Sequence, residues 1–192
     1  MTWLLCDYGE VLSLPQSSQD ISAIARRAGR ADDRFVIDYW EYRPAYDRAD
    51  ITAHDYWAAV IGKGPDLEPD QLDHLIALDV ASWLHPNVAS VRAARRAHAR
   101  GHRLAILSNA PVEVAAAIDG LEWLEPFAPR MFSCHLRAVK PEPQVFVAAL
   151  SALDAQPDEV MFIDDRQANV IAARRLGLQA MLFENPEQFD QR

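Results

Sequence analysis

Asp7, Ser108-Asn109, Lys140 and Asp164-Asp165 are the residues of this 192-residue chain whose types and places could do chemistry together. Asp7 opens the stretch Asp7-Tyr8-Gly9-Glu10 after the apolar run TWLLC, and Ser108-Asn109 follows RLAIL. Lys140 stands in Ala-Val-Lys-Pro-Glu-Pro, beyond a short run at Met131–Ser133. Asp164-Asp165 follows VMFI, with Asn169 a little further on. Each has an ordinary alternative. Asp7 can close a strand with Gly9 making the turn, and Ser108 or Asn109 can cap a helix starting near Pro111. Lys140 can be solvated, and Asp165 can cap the helix after it.

Together they ask for more. Three carboxylates converging at one end of a sheet raise one another's pKa unless a cation compensates. A hard divalent ion with oxygen ligands, normally magnesium, does so, and Lys140 brings a second positive charge. The chain contains 17 Arg but only two Lys, Lys63 and Lys140. A Lys at 140 therefore points to a site that wants a compact charge and not a planar fork. Ser108 adds a hydroxyl donor. This set suits transfer of a phosphoryl group to a carboxylate: an anion meets an anion, the metal and the amine neutralise both, and donors hold the equatorial oxygens.

Such convergence needs a particular scaffold. Strands over Thr2–Cys6, Arg103–Leu107, Met131–Ser133, Val160–Ile163 and Gln179–Phe183 alternate with helices over Val88–Arg100, Gln144–Leu153 and Ala168–Leu176, the last stopped by Gly177. Alternation at these lengths indicates βαβ units, and runs that are apolar throughout indicate strands covered on both faces. The fold expected is α/β, a Rossmann-like three-layer parallel sheet, whose ligands bind at the carboxyl ends of its strands. Residues 15–84 differ. They read as helices broken at Gly29, Pro44, Gly62–Pro65 and Pro69, with a helix start at Thr52 and Asp55. The domain division expected is a core of 1–14 with 85–192, and a helical cap of 15–84.

With these motifs in this order, the chain resembles the haloacid dehalogenase superfamily over essentially its full length. The resemblance implies Asp7 as nucleophile, Ser108 and Asn109 at the phosphate, and Lys140 orienting both phosphate and nucleophile. It also implies Mg2+ held by the Asp7 carboxylate, the Gly9 carbonyl and Asp165, with Asp164 in support. The opening Asp-Tyr-Gly-Glu-Val is similar to the subgroup of bacterial glucose-1-phosphate phosphatases and the phosphatase domain of soluble epoxide hydrolase. The implied activity is hydrolysis of a small phosphate monoester, such as a sugar phosphate, through an aspartyl-phosphate.

One departure bears on rate. Most phosphatases of the superfamily carry a second Asp, as general acid and base, at the place occupied here by Gly9. Glu10 is the nearest substitute in sequence, although its direction along the chain is opposite. Slow turnover, or preference for good leaving groups, is the expected consequence. A metal-free 2-haloacid dehalogenase also lacks the second Asp but has no use for the pair Asp164-Asp165. A non-catalytic binding module on this fold has no reason to keep the clustered charge.

The cap stretch Asp38–Asp47 is rich in aromatic and charged residues. It reads either as cap core or as a lid in which Trp40 and Tyr46 stack on substrate and Arg43 meets a second anionic group. Half of the chain is apolar and 24% is charged, an ordinary globular composition of a size for one domain with an insertion. The net charge of −9 argues against nucleic acid as a partner. No apolar run reaches the length of about 18 residues that a membrane span needs. Met-Thr-Trp-Leu-Leu-Cys-Asp lacks the positive start of a signal peptide. Cys6 and Cys134 are expected to be reduced and buried, in a cytoplasmic protein. The partner expected is a small phosphorylated molecule, and a monomer and a homodimer fit the sequence equally.

Overall fold

The computed structural model describes residues 2–30, 34–63 and 67–190. The expected break at Gly62–Pro65 falls partly outside them, as do the outermost residues of the expected core. Five strands form one sheet: β1 (Trp3–Cys6), β2 (Arg103–Ser108), β3 (Phe127–Phe132), β4 (Val160–Asp164) and β5 (Gln179–Leu182). All neighbours are parallel, in the order β3-β2-β1-β4-β5. The direction of winding reverses at β1, which pairs with both β2 and β4. The ends of those three strands therefore open on one crevice, the position that favours a ligand in a doubly wound sheet.

Between β1 and β2 lie α1 (Ser18–Ala28), α2 (Arg34–Glu41), α3 (Arg43–Asp47), α4 (Ala53–Ile61), α5 (Pro69–Trp83) and α6 (Val88–Ala99). After β2 comes α7 (Val112–Asp119), after β3 come α8 (Ser133–Leu136) and α9 (Pro143–Leu153), and after β4 comes α10 (Gln167–Arg175). The strands are uniformly apolar because successive side chains go to opposite, equally covered faces. Leu4, Cys6, Leu104, Ile106 and Ile163 pack with Ala93, Ala97, Val114 and Ile118 of α6 and α7. Leu5, Ala105, Leu107 and Phe162 pack with Val145, Phe146, Ala149 and Ala173 of α9 and α10.

The third strand is longer than the run at Met131–Ser133 suggests. It begins at Phe127, and Ser133 opens α8. This is an edge strand paired only with β2, so it tolerates Pro129 and leaves Ala128 exposed. These two residues blunt its apolar signal.

Helices α1–α5 bury a cluster of their own, with Ile24, Phe35, Tyr39, Tyr56, Trp57 and Leu75 at its centre. Local chemistry sets their limits. Ser17 with Asp20, and Thr52 with Asp55, form capping boxes. Gly29 and Gly62 end α1 and α4 at φ 68°, a left-handed conformation without penalty only for glycine. Pro44 and Pro69 stand in first turns, where the missing N–H costs nothing.

The two stems of this insert run side by side. Ser13 bridges Pro86, the Leu14 N–H donates to His85 O at 2.7 Å, and the Asn87 N–H donates to Leu12 O at 2.8 Å. Residues 46–50 tie the insert to the sheet a second time. The Tyr46 hydroxyl donates to Glu113 Oε2 at 2.7 Å and the Ser133 hydroxyl to Asp47 O at 2.6 Å. Arg137 pairs with Asp50 at 3.2 Å, and Arg48 with Glu142. Among the described residues no helix is long and apolar enough to cross a membrane.

One buried cation organises the side of the insert that faces the sheet. Arg43 Nη1 donates to both carboxylate oxygens of Asp79 at 3.1 Å and to the Tyr39 hydroxyl at 2.7 Å, while its Nε donates to Asp47 Oδ1 at 2.8 Å. Removing one partner from a buried pair leaves an uncompensated charge. Arg43→Met is expected to destabilise the protein by about 3–5 kcal/mol, read as a lower urea midpoint.

Candidate active site

The ends of β1, β2 and β4 and the Lys140 loop line a cavity of about 400 Å³ with Asp7, Ser108, Asn109, Lys140 and Asp165. The insert closes it with Trp40, Arg43, Asp47 and Trp83. The expected core residues thus come together in one hollow.

Lys140 is the hub. Its Nζ lies 2.8 Å from Asp7 Oδ1 and 2.7 Å from Asp164 Oδ2, and its side chain is 1% exposed. Such a loop residue needs its backbone held. Asn109 does this by accepting from the Lys140 N–H at 2.9 Å and donating to the Lys140 carbonyl at 3.1 Å. The Asn109 carboxamide is therefore engaged with the Lys140 backbone through its oxygen and one of its two N–H donors, while the residue lines the cavity. The helix-capping alternative for Ser108-Asn109 fails, because Pro111 precedes α7 and no side chain caps it. The Ser108 hydroxyl makes no hydrogen bond among the described residues, which leaves it available to a ligand.

The three acids differ in what satisfies them. Asp164 Oδ1 accepts from the Arg166 N–H at 2.8 Å and from Asn169 Nδ2 at 2.9 Å, and its Oδ2 accepts from Lys140. Burial opposes its charge, but Lys140 and the other donors outweigh it and hold its pKa below the ordinary carboxylate range. Asp7 Oδ1 accepts from Lys140 and from the Tyr8 N–H at 2.7 Å, and its second oxygen accepts nothing among the described residues. Burial pushes the Asp7 pKa up to about 7; Lys140 pulls against this, and Asp164 and Asp165 add to it. Burial also raises Asp165, with the charges of Asp164 and Glu10 behind it. Asp165 Oδ1 is buried without a partner among the described residues. For Lys140, burial opposes the charge, but Asp164 and Asp7 prevail and keep its pKa above the usual ammonium value.

Ligand oxygens of Asp7, Asp164 and Asp165 all lie within 4.8 Å of one another. An orphaned buried carboxylate oxygen beside a second, half-used carboxylate is costly unless a cation satisfies both. The all-oxygen donor set suits a hard divalent ion. The residues fit such an ion, with Asp7 and Asp165 offering free oxygens and Asp164 bound to its neighbours. The Gly9 backbone is at the same hollow.

Gly9 is constrained from above. A Cβ there would lie 3.3 Å from Trp83 Cζ3, at the end of α5, so the insert covers the space a longer side chain would need. Glu10 adopts φ 60°, an uncommon conformation for a residue with a side chain. It is exposed on the rim of the hollow.

Two expectations about the lid change. Arg43 lines the cavity, but its Nη1 and Nε are engaged with Asp79, Tyr39 and Asp47, so two buried acids already share its charge. Tyr46 is buried, stacks on Tyr56 with ring centroids 4.4 Å apart and bonds to Glu113, instead of lining the cavity. Trp40 does line it, packed edge-on against Trp83 at 6.3 Å and with the Arg166 guanidinium 5.8 Å from its ring centroid. Asp47, Trp83 and Arg166 are lining residues that the sequence does not single out. Only Arg166 carries a local signal, directly following the acidic pair.

A family model described as haloacid dehalogenase-like hydrolase matches residues 13–177. The chain belongs to this family. The match starts beyond Asp7, so the place of that residue rests on the geometry above. The relatives identified by sequence include the bifunctional epoxide hydrolase 2 of Mus musculus, 42% identical over 53 residues. That stretch is 28% of this chain and 10% of the relative, so the likeness spans a small part of that protein. Among solved structures, a haloacid dehalogenase family enzyme of Bacteroides thetaiotaomicron superposes with a TM-score of 0.80 at 16% identity. The superposition covers 100% of this chain and 99% of that one. The wild-type form of that enzyme has also been solved with magnesium and inorganic phosphate. The L-2-haloacid dehalogenase of Xanthobacter autotrophicus, with chloropropionic acid covalently bound, superposes at 0.68 and 17% identity, covering 94% of this chain and 76% of that one. These likenesses confirm the Rossmann-like hydrolase fold.

The acids of this hydrolase make its stability depend on pH and metal together. Asp7 titrates higher folded than unfolded, so the native state holds a proton that the unfolded chain releases. Its contribution falls as pH rises from about 4 to about 7, then levels. A bound cation favours the ionised form and opposes that loss. Magnesium chloride is expected to raise Tm more at about pH 8 than at about pH 5, and Asp165→Asn is expected to abolish the difference.

Proposed function

We propose that this hydrolase cleaves small phosphate monoesters with Mg2+, through a phosphoryl group carried transiently on Asp7. The observation that supports it most is the buried cluster itself. Asp7, Asp164 and Asp165 each bring a carboxylate oxygen within 4.8 Å of the others, Asp7 and Asp165 each keep an oxygen without a partner among the described residues, and Lys140 already bonds Asp7 and Asp164. Displacing halide from a carbon needs no such excess of acid. The Bacteroides thetaiotaomicron enzyme solved with magnesium and phosphate, at 18% identity, and the dehalogenase, at 17%, both speak for the fold alone, so the choice between the two chemistries rests on the acids.

In this reading Asp7 and Asp165 hold the ion with the Gly9 carbonyl. When bound, it neutralises charge on the phosphoryl oxygens and on the nucleophile. Asp7 attacks phosphorus with its carboxylate. Lys140 fixes that carboxylate through Oδ1 and donates to a phosphoryl oxygen, and the free Ser108 hydroxyl donates to another. Asn109 holds Lys140 in place, and Asn169 and the Arg166 N–H hold Asp164. Helices α1–α5 act as a cap whose Trp40 and Trp83 exclude water from the hollow. With Trp83 Cζ3 3.3 Å from where a Cβ on Gly9 would stand, a side chain there would need the indole to shift by a few tenths of an ångström.

Assay of a panel of phosphate monoesters should show turnover with Mg2+ and none in EDTA. Asp7→Asn should lower kcat on the order of 10⁴-fold or more, as loss of a nucleophile does. Undiminished activity in that variant, or halide release from 2-chloropropionate in EDTA, would remove the proposal.

A further inference from the structure

From the geometry we infer that Asp47, on the cap, is the general acid and base of the reaction, in the role for which the nucleophile loop has no side chain. The inference rests on the phosphatase reading above and adds the group that moves the proton.

Three observations place it. Asp47 lines the same hollow as Asp7, Ser108 and Lys140. Its position is fixed against the phosphate-binding end of β2. The Ser133 hydroxyl donates to the Asp47 carbonyl at 2.6 Å and accepts from the Ala110 N–H at 2.9 Å, two residues beyond Ser108. Its side chain has one bond, from Arg43 Nε to Oδ1 at 2.8 Å, and the other carboxylate oxygen accepts none among the described residues.

Charge completes the case. Asp79 takes two bonds from Arg43 Nη1 and a third from the Tyr39 hydroxyl at 2.5 Å. One guanidinium thus serves two buried acids, and Asp79 has the larger share. A second full negative charge at Asp47 would face a phosphate ester across the hollow. A proton on Asp47 removes that conflict and is then available to the leaving group.

The groups around Asp47 are Arg43 on α3, Asp79 on α5, Ser133 and Cys134 on α8, and Arg166 ahead of α10. Glu113 of α7 is held by the neighbouring Tyr46. Burial raises the Asp47 pKa above the carboxylate norm, Asp79 adds to this, and Arg43 and Arg166 oppose it.

The steps balance. As an Asp7 oxygen bonds to phosphorus, the bond from phosphorus to the ester oxygen breaks, and that oxygen takes the Asp47 proton. A water then attacks the same phosphorus and gives its proton to the Asp47 carboxylate. The Asp7–phosphorus bond breaks, leaving phosphate, free Asp7 and protonated Asp47.

The test compares glycerol phosphate, whose alkoxide needs a proton to leave, with para-nitrophenyl phosphate, whose phenolate does not. Asp47→Asn should lower kcat/KM for glycerol phosphate by about 10²–10⁴-fold. With the nitrophenyl ester it should give a burst of one nitrophenolate per active site and then stall as the aspartyl-phosphate. Glu10→Gln should leave the ratio of kcat/KM between the two esters at its wild-type value, whatever it does to the absolute rates. In the wild type, kcat/KM should fall as pH rises through the raised Asp47 pKa with glycerol phosphate but not with the aryl ester, a readout that stands even if the variant fails to fold. If the wild type turns over both esters and the variant lowers kcat/KM equally for both with no nitrophenolate burst, or the fall with pH is shared by both, Asp47 is not the acid. If the wild type turns over neither ester, the phosphatase reading itself has failed.

Discussion

The ammonium of Lys140, within 3 Å of both Asp7 and Asp164, is the contact on which the rest of the site depends. It is almost fully buried, and a lone charge in such a place is costly. Two carboxylates make it stable, but one cation cannot neutralise three acids. Asp164 is settled by Lys140 and two further groups, Asn169 and the Arg166 N–H. Asp7 and Asp165 are left under-compensated, an imbalance that a divalent ion would answer. The fold provides for the amine with care. Asn109 grips the Lys140 backbone on both sides, and Phe162 of β4 lies 5.6 Å below its charge.

The insert is part of the site and not a neighbour to it. Its two stems pair at Ser13 and Pro86, and residues 46–50 fasten it again above the end of β2. Between these anchors the indole of Trp83 lies over Gly9 while Trp40 closes the side. The Trp83 carbonyl also accepts from the Tyr8 hydroxyl at 2.9 Å, linking the end of α5 to the loop after β1. A side chain at position 9 and an indole at position 83 compete for one space, so the glycine and the shape of the roof are a single feature. The Arg43 network stiffens this roof by giving two buried acids one shared counter-charge.

Much of this was legible beforehand because periodic and turn signals are local. Uniformly apolar runs marked strands covered on both faces, and Thr52 with Asp55 marked a helix start. The edge strand β3 is harder to read because its middle, residues 128–130, is exposed or half-buried between buried ends. At the lid, residue type was misleading. An Arg among aromatics reads the same whether it faces a ligand or Asp79, and Tyr46 reads the same whether it stacks on substrate or on Tyr56.

The residues themselves determine that Asp7, Ser108, Lys140, Asp164 and Asp165 end on one side of a parallel sheet, because each follows a strand or its loop and parallel strands present their ends together. They also determine the family, since order and residue type survive without coordinates. Which oxygens remain free, what Asn109 holds, where Arg43 directs its charge and why Gly9 bears no side chain were decided only by the tertiary structure. These are distances between groups far apart along the chain, set by packing of the insert on the sheet, and no local pattern of residues encodes them.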